Sequence, residues 1–322
     1  MPDDHGAGGT AIGATPADTR RRRIDAVLRR SPLQPAFRAL AAGRLAVLAY
    51  HGVEDARSFA AQMDRLVRTA RPVSLARVEQ AVREQRPLPP RSVLVTFDDG
   101  DPSLLAAGLP VLARHRIPAV AYVIAGLIGG DRPFWWAEAA FLAGHGGTAD
   151  GLPTGTGPTT VVRRLKQVPD RQRLDLLQQL RDTATRQAPR RPHLTAACLA
   201  ELRTGGVEIG NHTDSHPCLD RCDPASARAE VEQAHHRLTR LLGRAPTSFA
   251  YPNGNHDPRV EPLLARLGYR TGFLFDHRHD RRLPRHPLRI SRLRVNSDTG
   301  RDRFDTVLSG LHPAVHRLRG GS

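Results

Sequence analysis

The stretch VLVTFDDG, residues 93–100, predicts a buried β-strand that ends on two adjacent carboxylates and a glycine. Asp98 and Asp99 would repel each other at the end of a hydrophobic strand, so a compensating partner is expected nearby. A solvated turn is the alternative, because Asp-Gly is a common turn dipeptide. The sequence on either side of this stretch has to distinguish a turn from a functional site.

Short apolar segments alternate with amphipathic helical patterns along most of the chain. This alternation predicts an α/β fold with a largely parallel sheet covered by helices, either open or closed into a barrel. Ligands bind at the carboxyl ends of the strands in such folds. The alternation is interrupted at 126–204, where only helices are predicted, and we interpret this range as a helical insertion. The predicted strands are 45–50, 92–97, 118–125, 206–211, 247–251, 270–275 and 288–295.

The first 43 residues differ from the rest by an arginine cluster without an apolar segment after it. We expect a flexible basic leader over 1–43, followed by one catalytic domain over 44–315. The arginines flank Ile24, Val27 and Leu28 at helical spacing, so weak contact with an anionic membrane surface is a second interpretation.

Several classes of protein are disfavoured by composition. No apolar run approaches the roughly 20 residues that cross a bilayer, and no secretory signal is predicted. Three cysteines in 322 residues do not form a disulfide framework, so a cytoplasmic location is expected. The net charge of +16 does not predict nucleic-acid binding, because the arginines are dispersed, Lys166 is the only lysine and aromatic residues make up 5%.

A histidine pair follows another predicted strand directly, in NHTDSHP, residues 211–217. One helical turn would place the imidazoles of His212 and His216 on the same face, as a shared metal requires. With 15 histidines in the chain, about one pair at this spacing is expected by chance. The pair is singled out by its position after a strand; the second pair, His312 and His316, has no such position and is predicted to be on the surface.

Two imidazoles and one carboxylate are the minimum set for a divalent metal with positions open to water and substrate. If one aspartate of the Asp98–Asp99 pair binds the metal, the cation compensates its charge. The other aspartate is then available as a base toward water. This division of roles would explain why the two carboxylates are adjacent.

The segments TFDDG (96–100), NHTDSHP (211–217) and FAYPNG (249–254) resemble, in this order, the leading motifs of the polysaccharide deacetylases. This carbohydrate esterase family shares its catalytic domain with the nodulation chitooligosaccharide deacetylases, and the similarity runs from about 44 to about 312. The resemblance implies a distorted (β/α) barrel, a divalent metal, commonly zinc, and hydrolysis of N-acetyl or O-acetyl groups on sugars. By position, Asp98 resembles the general base, and Asp99, His212 and His216 resemble the metal ligands.

The third motif departs from the family pattern. An arginine that orients the base usually stands two residues before the proline, where this chain has Ala250. Arg292, on the last predicted strand, is our candidate replacement, although it could be one more exposed arginine.

The backbone N–H of Asn253 could act as an oxyanion donor, since that role needs no particular side chain. In YHG, residues 50–52, His51 resembles the histidine that acts as general acid in one branch of the family, and a structural histidine is the alternative.

We therefore expect a metal-dependent hydrolase that removes acetyl groups, chiefly N-acetyl groups, from a sugar or glycan precursor. A catalytically silent carbohydrate-binding domain of the same fold is the first alternative. A mononuclear iron oxygenase is a second, because it also uses two histidines and one carboxylate, but it would need a jelly-roll strand pattern. A closed, structural zinc site that adds Cys218 and Cys222 to the histidines is a third. The aromatic segment FWWAE (134–138) could line a sugar subsite or anchor the insertion.

Overall fold

The computed structural model describes residues 16–153 and 155–318, and its centre is a nine-stranded sheet. Its strands lie in the order β7-β6-β5-β4-β3-β1-β8, with β2 beside β3 and β9 beside β1. Every pairing is parallel except that of β1 with β8. The strands are β1 (Arg44–Tyr50), β2 (Arg71–Pro72), β3 (Ser92–Phe97), β4 (Ala119–Val123), β5 (Val207–Asn211), β6 (Ser248–Ala250), β7 (Thr271–Phe273), β8 (Asp280–Arg281) and β9 (Leu293–Arg294).

The two ends of the sheet are brought together by residues 290–294. Ile290 forms a parallel bridge with Phe273 of β7, and Leu293 pairs with Leu48 of β1. The predicted strand 288–295 is therefore short but lies where a closing strand belongs. The sheet is strongly curled, and the predicted distorted (β/α) barrel is confirmed. A jelly roll is antiparallel, so this architecture does not match the iron-oxygenase alternative.

Thirteen α-helices accompany the sheet in the described part of the chain, and local capping defines several of their starts. Asp55 caps α3 by accepting hydrogen bonds from the N–H groups of Arg57 and Ser58, and the predicted cap Ser74 accepts from Arg77. The helices are α1 (Pro16–Arg30), α2 (Gln34–Ala42), α3 (Ala56–Thr69), α4 (Leu75–Glu84), α5 (Leu109–His115), α6 (Trp135–Gly144), α7 (Pro158–Leu165), α8 (Asp170–Thr183), α9 (Ala196–Thr204), α10 (Pro224–Leu242), α11 (Glu261–Arg266), α12 (Arg301–Leu308) and α13 (Leu311–Leu318).

Alternate residues of each strand enter two different cores, as the period of a β-strand requires. One core lies between the sheet and its helices and includes Leu48, Val95 and Ala121. The other fills the interior of the curled sheet and includes Val47, Leu94, Val120, Tyr122, Ala250, Phe273 and Ile290. The interior is where side chains from separate strand ends meet.

The predicted insertion folds as a helical unit with a small core of its own. Helices α6, α7 and α8 pack around Leu142, Leu165 and Leu177, while α9 belongs to the core between sheet and helices. Of these helices, α6 is the one that reaches the carboxyl ends of the strands.

Most of the predicted basic leader is helical in the structure, and its first 15 residues lie outside the described residues. Helix α1 lies along α12, where Arg29 donates hydrogen bonds to Asp302 (2.9 Å) and Asp305 (3.2 Å). Arg65 of α3 also pairs with Asp305, at 2.7 Å. Helices α1 and α2 are thus attached to the domain by polar contacts rather than by a continuous apolar core.

Across residues 16–153 and 155–318, the helices that we observe are too short or too polar to span a lipid bilayer.

Candidate metal centre

The aspartate pair at the end of β3 is divided between two environments by backbone conformation. Asp98 continues the strand, and its N–H donates to the carbonyl of Tyr50 at 2.8 Å. Asp99 adopts a left-handed conformation with φ of 69°, and Gly100 follows with φ of 74°. This turn separates the two carboxylates, so that Asp98 lies in the sheet interior and Asp99 lies beside the histidines.

The two histidines share one side of a loop rather than one face of a helix. Residues 212–216 have no helical structure, and Thr213 and His216 have positive φ values of 66° and 62°. The expectation of a helical turn was therefore wrong, because the loop folds back on itself after β5. The rings of His212 and His216 nevertheless lie 4.7 Å apart between centroids, with the Nε2 atom of each 3.4 Å from Oδ1 of Asp99.

Buried side chains hold this loop in shape. Asn211 accepts a hydrogen bond from the Thr213 N–H at 2.7 Å, and the Thr213 hydroxyl accepts from the His216 N–H at 3.0 Å. The carboxylate of Glu230 on α10 accepts from the N–H groups of Asp214 (3.0 Å) and Ser215 (2.8 Å). These bonds satisfy a sharply turned backbone and fix the positions of both imidazoles.

The donor set of Asp99, His212 and His216 fits a divalent metal. Within the described residues, this is the group of histidine, cysteine and acidic side chains whose ligand atoms converge, all within 4.8 Å of one another. Oδ1 of Asp99 is buried without a hydrogen-bond partner. Two ligand atoms about 2.1 Å from one ion at a tetrahedral angle are about 3.4 Å apart, which agrees with the two Asp99–histidine separations.

The electrostatic surroundings of these three side chains also suit a cation. Burial lowers the pKa of His216 to about 3, so its imidazole is neutral and able to coordinate. Burial opposes ionisation of Asp99 as well, but His216 and His212 beside it hold the pKa of this carboxyl below its usual range. For His212, burial is outweighed by Asp98 and Asp99, which raise its pKa. Such strongly negative surroundings favour a cation of any kind at this point.

The orientation of His212 is set by its second ring nitrogen. Nδ1 donates to the carbonyl of Ala250 at 2.8 Å, so Nε2 is the nitrogen that is directed at Asp99 and available to a cation. Metal-binding histidines are commonly fixed in this way by a hydrogen bond from the other nitrogen.

Arg292 lies directly on Asp98. Its Nη1 and Nη2 atoms donate to the two carboxylate oxygens, both at 2.7 Å, and both side chains are buried. Burial would raise the pKa of Asp98, but Arg292 and His212 outweigh it and hold the pKa below its usual range. The arginine that sequence analysis offered as a replacement for Ala250 therefore contacts the predicted base. Its contribution to a reaction remains a prediction.

His51 and Asn253 follow the ends of two other strands, β1 and β6. His51 follows β1, is half-buried and packs edge-on against Phe275, with 5.3 Å between ring centroids. Its charge contributes to lowering the pKa of both Asp98 and Asp99. His256, another histidine near the third motif, is instead engaged with Glu261 at 2.6 Å.

Asn253 lies in the turn after β6 with φ of 55°, and its side-chain amide donates to the sulfur of Cys218 at 3.3 Å. Gly254 follows with φ of 77°, and a Cβ atom there would lie 2.4 Å from the backbone nitrogen of Phe275. Only glycine fits this position, because the turn packs directly against the backbone of Phe275.

The cysteines are not part of the donor set. The thiols of Cys218 and Cys222 are free, and burial raises the pKa of both, to about 11 for Cys218. A structural zinc site with two thiolate ligands is not supported, because the converging atoms come from Asp99 and the histidines.

The aromatic segment of the insertion divides into a buried anchor and two half-buried rings. Trp135 is buried and donates from Nε1 to the carbonyl of His216 at 2.9 Å. It therefore anchors the insertion to residues 212–216, which we call the metal loop. Trp136 is half-buried with its ring 4.6 Å from that of His216, and Phe134 stacks on Trp136 at 4.8 Å. Phe134 and Trp136 form an aromatic wall beside the centre.

Sequence reasoning missed Glu230, which holds the loop after β5 from another element. Glu230 lies 14 residues after His216 on an amphipathic helix, and no spacing rule connects the two. The FWWAE segment did signal an unusual site, but sequence could not show which tryptophan is the anchor.

Comparison with known proteins gives the chain a family context. The family model described as polysaccharide deacetylase matches residues 85–272, more than half of the chain. No curated protein matches the chain significantly.

Similar solved structures include the deacetylase PplD of Streptococcus pyogenes in complex with acetate, with 16% identity, 82% of this chain and 98% of that chain covered, and a TM-score of 0.57. IcaB of Ammonifex degensii has 21% identity, coverage of 83% and 96%, and a TM-score of 0.58. A de-N-acetylase of Aggregatibacter actinomycetemcomitans has 16% identity, coverage of 82% and 99%, and a TM-score of 0.56. At these identities the likeness is one of fold.

Proposed function

The chain belongs to the polysaccharide deacetylase family, and from this premise we propose that it is a metal-dependent hydrolase that removes acetyl groups from a sugar or a glycan precursor. The observation that carries the proposal is the juxtaposition of two units at one edge of the sheet. Asp99, His212 and His216 form the cation site, and the buried pair of Asp98 and Arg292 lies beside it.

Asp99, His212 and His216 would hold the metal, which we propose to be zinc. A bound zinc ion would supply a Lewis acid and lower the pKa of water at the site. The protein positions this chemistry through the Ala250 carbonyl, which orients His212, and through Glu230, which shapes the loop that carries His216.

Asp98 is the proposed general base. Its carboxylate is ionised because Arg292 neutralises it from the interior side, and both of its oxygens are fixed in one plane by the bidentate contact. A base of this kind accepts a proton from the water that attacks the acetyl carbonyl carbon. A positioned base typically contributes about 10²–10⁴-fold to the rate.

The remaining steps need a donor to the oxyanion and a donor to the leaving group. The backbone N–H of Asn253, in the turn after β6, is the proposed oxyanion donor. His51 is the proposed general acid: when the carbon–nitrogen bond of the acetamide breaks, its proton passes to the departing amine. Two observations support this choice: His51 directly follows β1, the strand that pairs with β3, and His256 is engaged with Glu261.

We propose N-acetyl rather than O-acetyl groups as the principal target. One of the structures with the same fold is a de-N-acetylase, and a leaving amine needs the proton donor that His51 would provide.

We also propose that the protein resides in the cytoplasm, as its three free thiols favour. Fractionation of the native host tests this location, and recovery of the protein outside the cell would contradict it.

The activity test measures acetate release from a panel of N-acetylated and O-acetylated oligosaccharides by the zinc-loaded protein. We expect acetate from N-acetylated members, and the Asp98→Asn variant should retain zinc while losing about 10²–10⁴-fold of this activity. Zinc analysis of both proteins is the control. If zinc is bound and sugars bind but no acetate is released from any member, the protein is a silent carbohydrate-binding domain. If no divalent metal binds, the proposed centre is wrong.

A further inference from the structure

The outward face of α1 is cationic along its described length. Arg20, Arg23, Val27 and Arg30 are spaced three or four residues apart, so they share one face of the helix, and all four are exposed. The opposite face carries Arg29, which is bound to Asp302 and Asp305 of α12. The ion pairs with the domain therefore use the inner face and leave the outer arginines directed at solvent.

Basic residues outnumber acidic residues in the leader. Residues 1–43 contain seven arginines and four acidic residues, Asp3, Asp4, Asp18 and Asp25, and Asp25 is buried. An exposed cationic stripe of this kind attracts a polyanion or an anionic surface.

Exposed aliphatic side chains occur on α1, on α2 and in the turn between them. Val27 is 69% exposed, Leu33 in the turn between α1 and α2 is 57% exposed, and Leu40 on α2 is 69% exposed. Leucine and valine in this state gain nothing from a hydrated polyanion but gain free energy by entering the boundary between lipid headgroups and acyl chains. Phe37 is the aromatic residue of these two helices and is half-buried, so they offer few rings on which nucleic-acid bases could stack.

We propose that the exposed side chains of α1, α2 and the turn between them, namely Arg20, Arg23, Val27, Arg30, Leu33 and Leu40, bind the surface of an anionic phospholipid bilayer. Charge complementarity identifies the occupant, and the aliphatic side chains distinguish a bilayer from a soluble polyanion. The catalytic domain would then be held at a membrane through two helices that lie in the interface, with no segment crossing it. This proposal does not depend on the proposed function.

Sedimentation of the full chain with lipid vesicles tests the proposal. The protein should sediment with vesicles that contain phosphatidylglycerol and not with vesicles of phosphatidylcholine alone, and the affinity should fall as salt increases. A surface arginine contributes about fivefold to such binding, so R20Q/R23Q/R30Q should weaken it about 100-fold. The matched control R68Q/R114Q/R186Q removes the same charge from exposed arginines elsewhere and should retain the wild-type affinity.

A second variant separates a bilayer from a soluble polyanion. V27S/L33S/L40S keeps every arginine, so it should bind heparin as the wild type does but lose most of its binding to anionic vesicles at high salt. Thermal melts establish that each variant is folded. Equal losses in the two arginine variants would overturn the proposal. Unchanged vesicle binding by the serine variant would also overturn it, in favour of a soluble polyanion.

Discussion

Replacing Arg292 by methionine should change the pH dependence of the reaction as well as its rate. In the folded protein, burial acts to raise the pKa of Asp98, and Arg292 is the first of the groups that lower it. Without the guanidinium, the pKa of Asp98 rises, so the base is protonated over more of the acidic range. The acid limb of the kcat/KM profile should therefore move to higher pH, because activity requires the ionised carboxylate.

The size of the effect follows from the geometry of the pair. Two hydrogen bonds of 2.7 Å join groups that are 0% and 3% exposed. Removing one partner of a buried ion pair costs about 3–5 kcal/mol of unfolding free energy. Because Asp98 loses its fixed orientation, kcat/KM of Arg292→Met at its own pH optimum should be about 10²-fold below that of the wild type. The double variant Asp98→Asn with Arg292→Met should recover part of the lost stability, since no unpaired charge remains buried.

Arg294→Met is the matched control. Arg294 also lies on the closing segment, but it donates to the carbonyl of Phe275 and not to Asp98. Acetate release is measured across pH, and unfolding by urea is followed for the same proteins. If Arg292→Met keeps the wild-type acid limb, or if both variants shift it equally, Arg292 does not hold the base and the reasoning fails.

Three further predictions concern other parts of the molecule. Asp99→Ala should abolish tight zinc binding in metal analysis of the purified protein, and a variant that still holds one equivalent of zinc would contradict the assignment of the ligand set. His51→Ala should retain zinc and slow hydrolysis of acetamides much more than that of activated acetyl esters, whose leaving group needs no proton; equal losses on both substrates would remove the general-acid role. Burial, together with His312 and His316 nearby, lowers the pKa of His277 to about 2. Below about pH 6.5, His277 is therefore protonated in the unfolded chain but still neutral in the folded protein. This difference should lower the free energy of unfolding by about 1.4 kcal/mol for each pH unit as the pH decreases. Urea midpoints should show a shallower acid dependence for His277→Asn, and parallel curves would contradict this.

The strand ends were predictable because their signals are local. A run such as VLVTF specifies a strand by composition, and polar residues directly after it must lie at the carboxyl edge of a parallel sheet. For that reason the sequence alone brought Asp98, Asp99, His212 and His216 to one edge, and the polysaccharide deacetylase resemblance and the barrel are both confirmed.

The conformation of the metal loop was not predictable in the same way. The spacing of His212 and His216 is compatible with a helix, yet the loop takes its shape from Asn211 at the end of β5 and from Glu230 on α10. Positive φ at Thr213 and His216 is unfavourable for both residue types unless hydrogen bonds from outside compensate it. Information of that kind lies in tertiary contacts and not in local periodicity.

The contacts of the leader with the rest of the domain were also not predictable from local sequence. Its arginines and few apolar residues are typical of an unattached basic segment. In the structure, the carboxylates of α12 lie opposite Arg29, and buried Asp305 also receives Arg65 from α3. Pairs between elements more than 200 residues apart have no signature in the leader itself, so sequence analysis could identify the charge but not its partner.

The replacement of the motif arginine is explained by the way the sheet closes. Ala250 pairs with Phe273 of β7, and Phe273 in turn bridges to Ile290, so all three side chains point into the same interior. Arg292 is two residues beyond Ile290 and so faces the same way, with its guanidinium reaching Asp98. The buried carboxylate requires a cation in the interior but does not specify the strand that carries it. Ala250 leaves room in the interior, and Arg292 supplies the cation from another strand. A sequence motif covers one strand end, so it cannot show that two strands meet this requirement together.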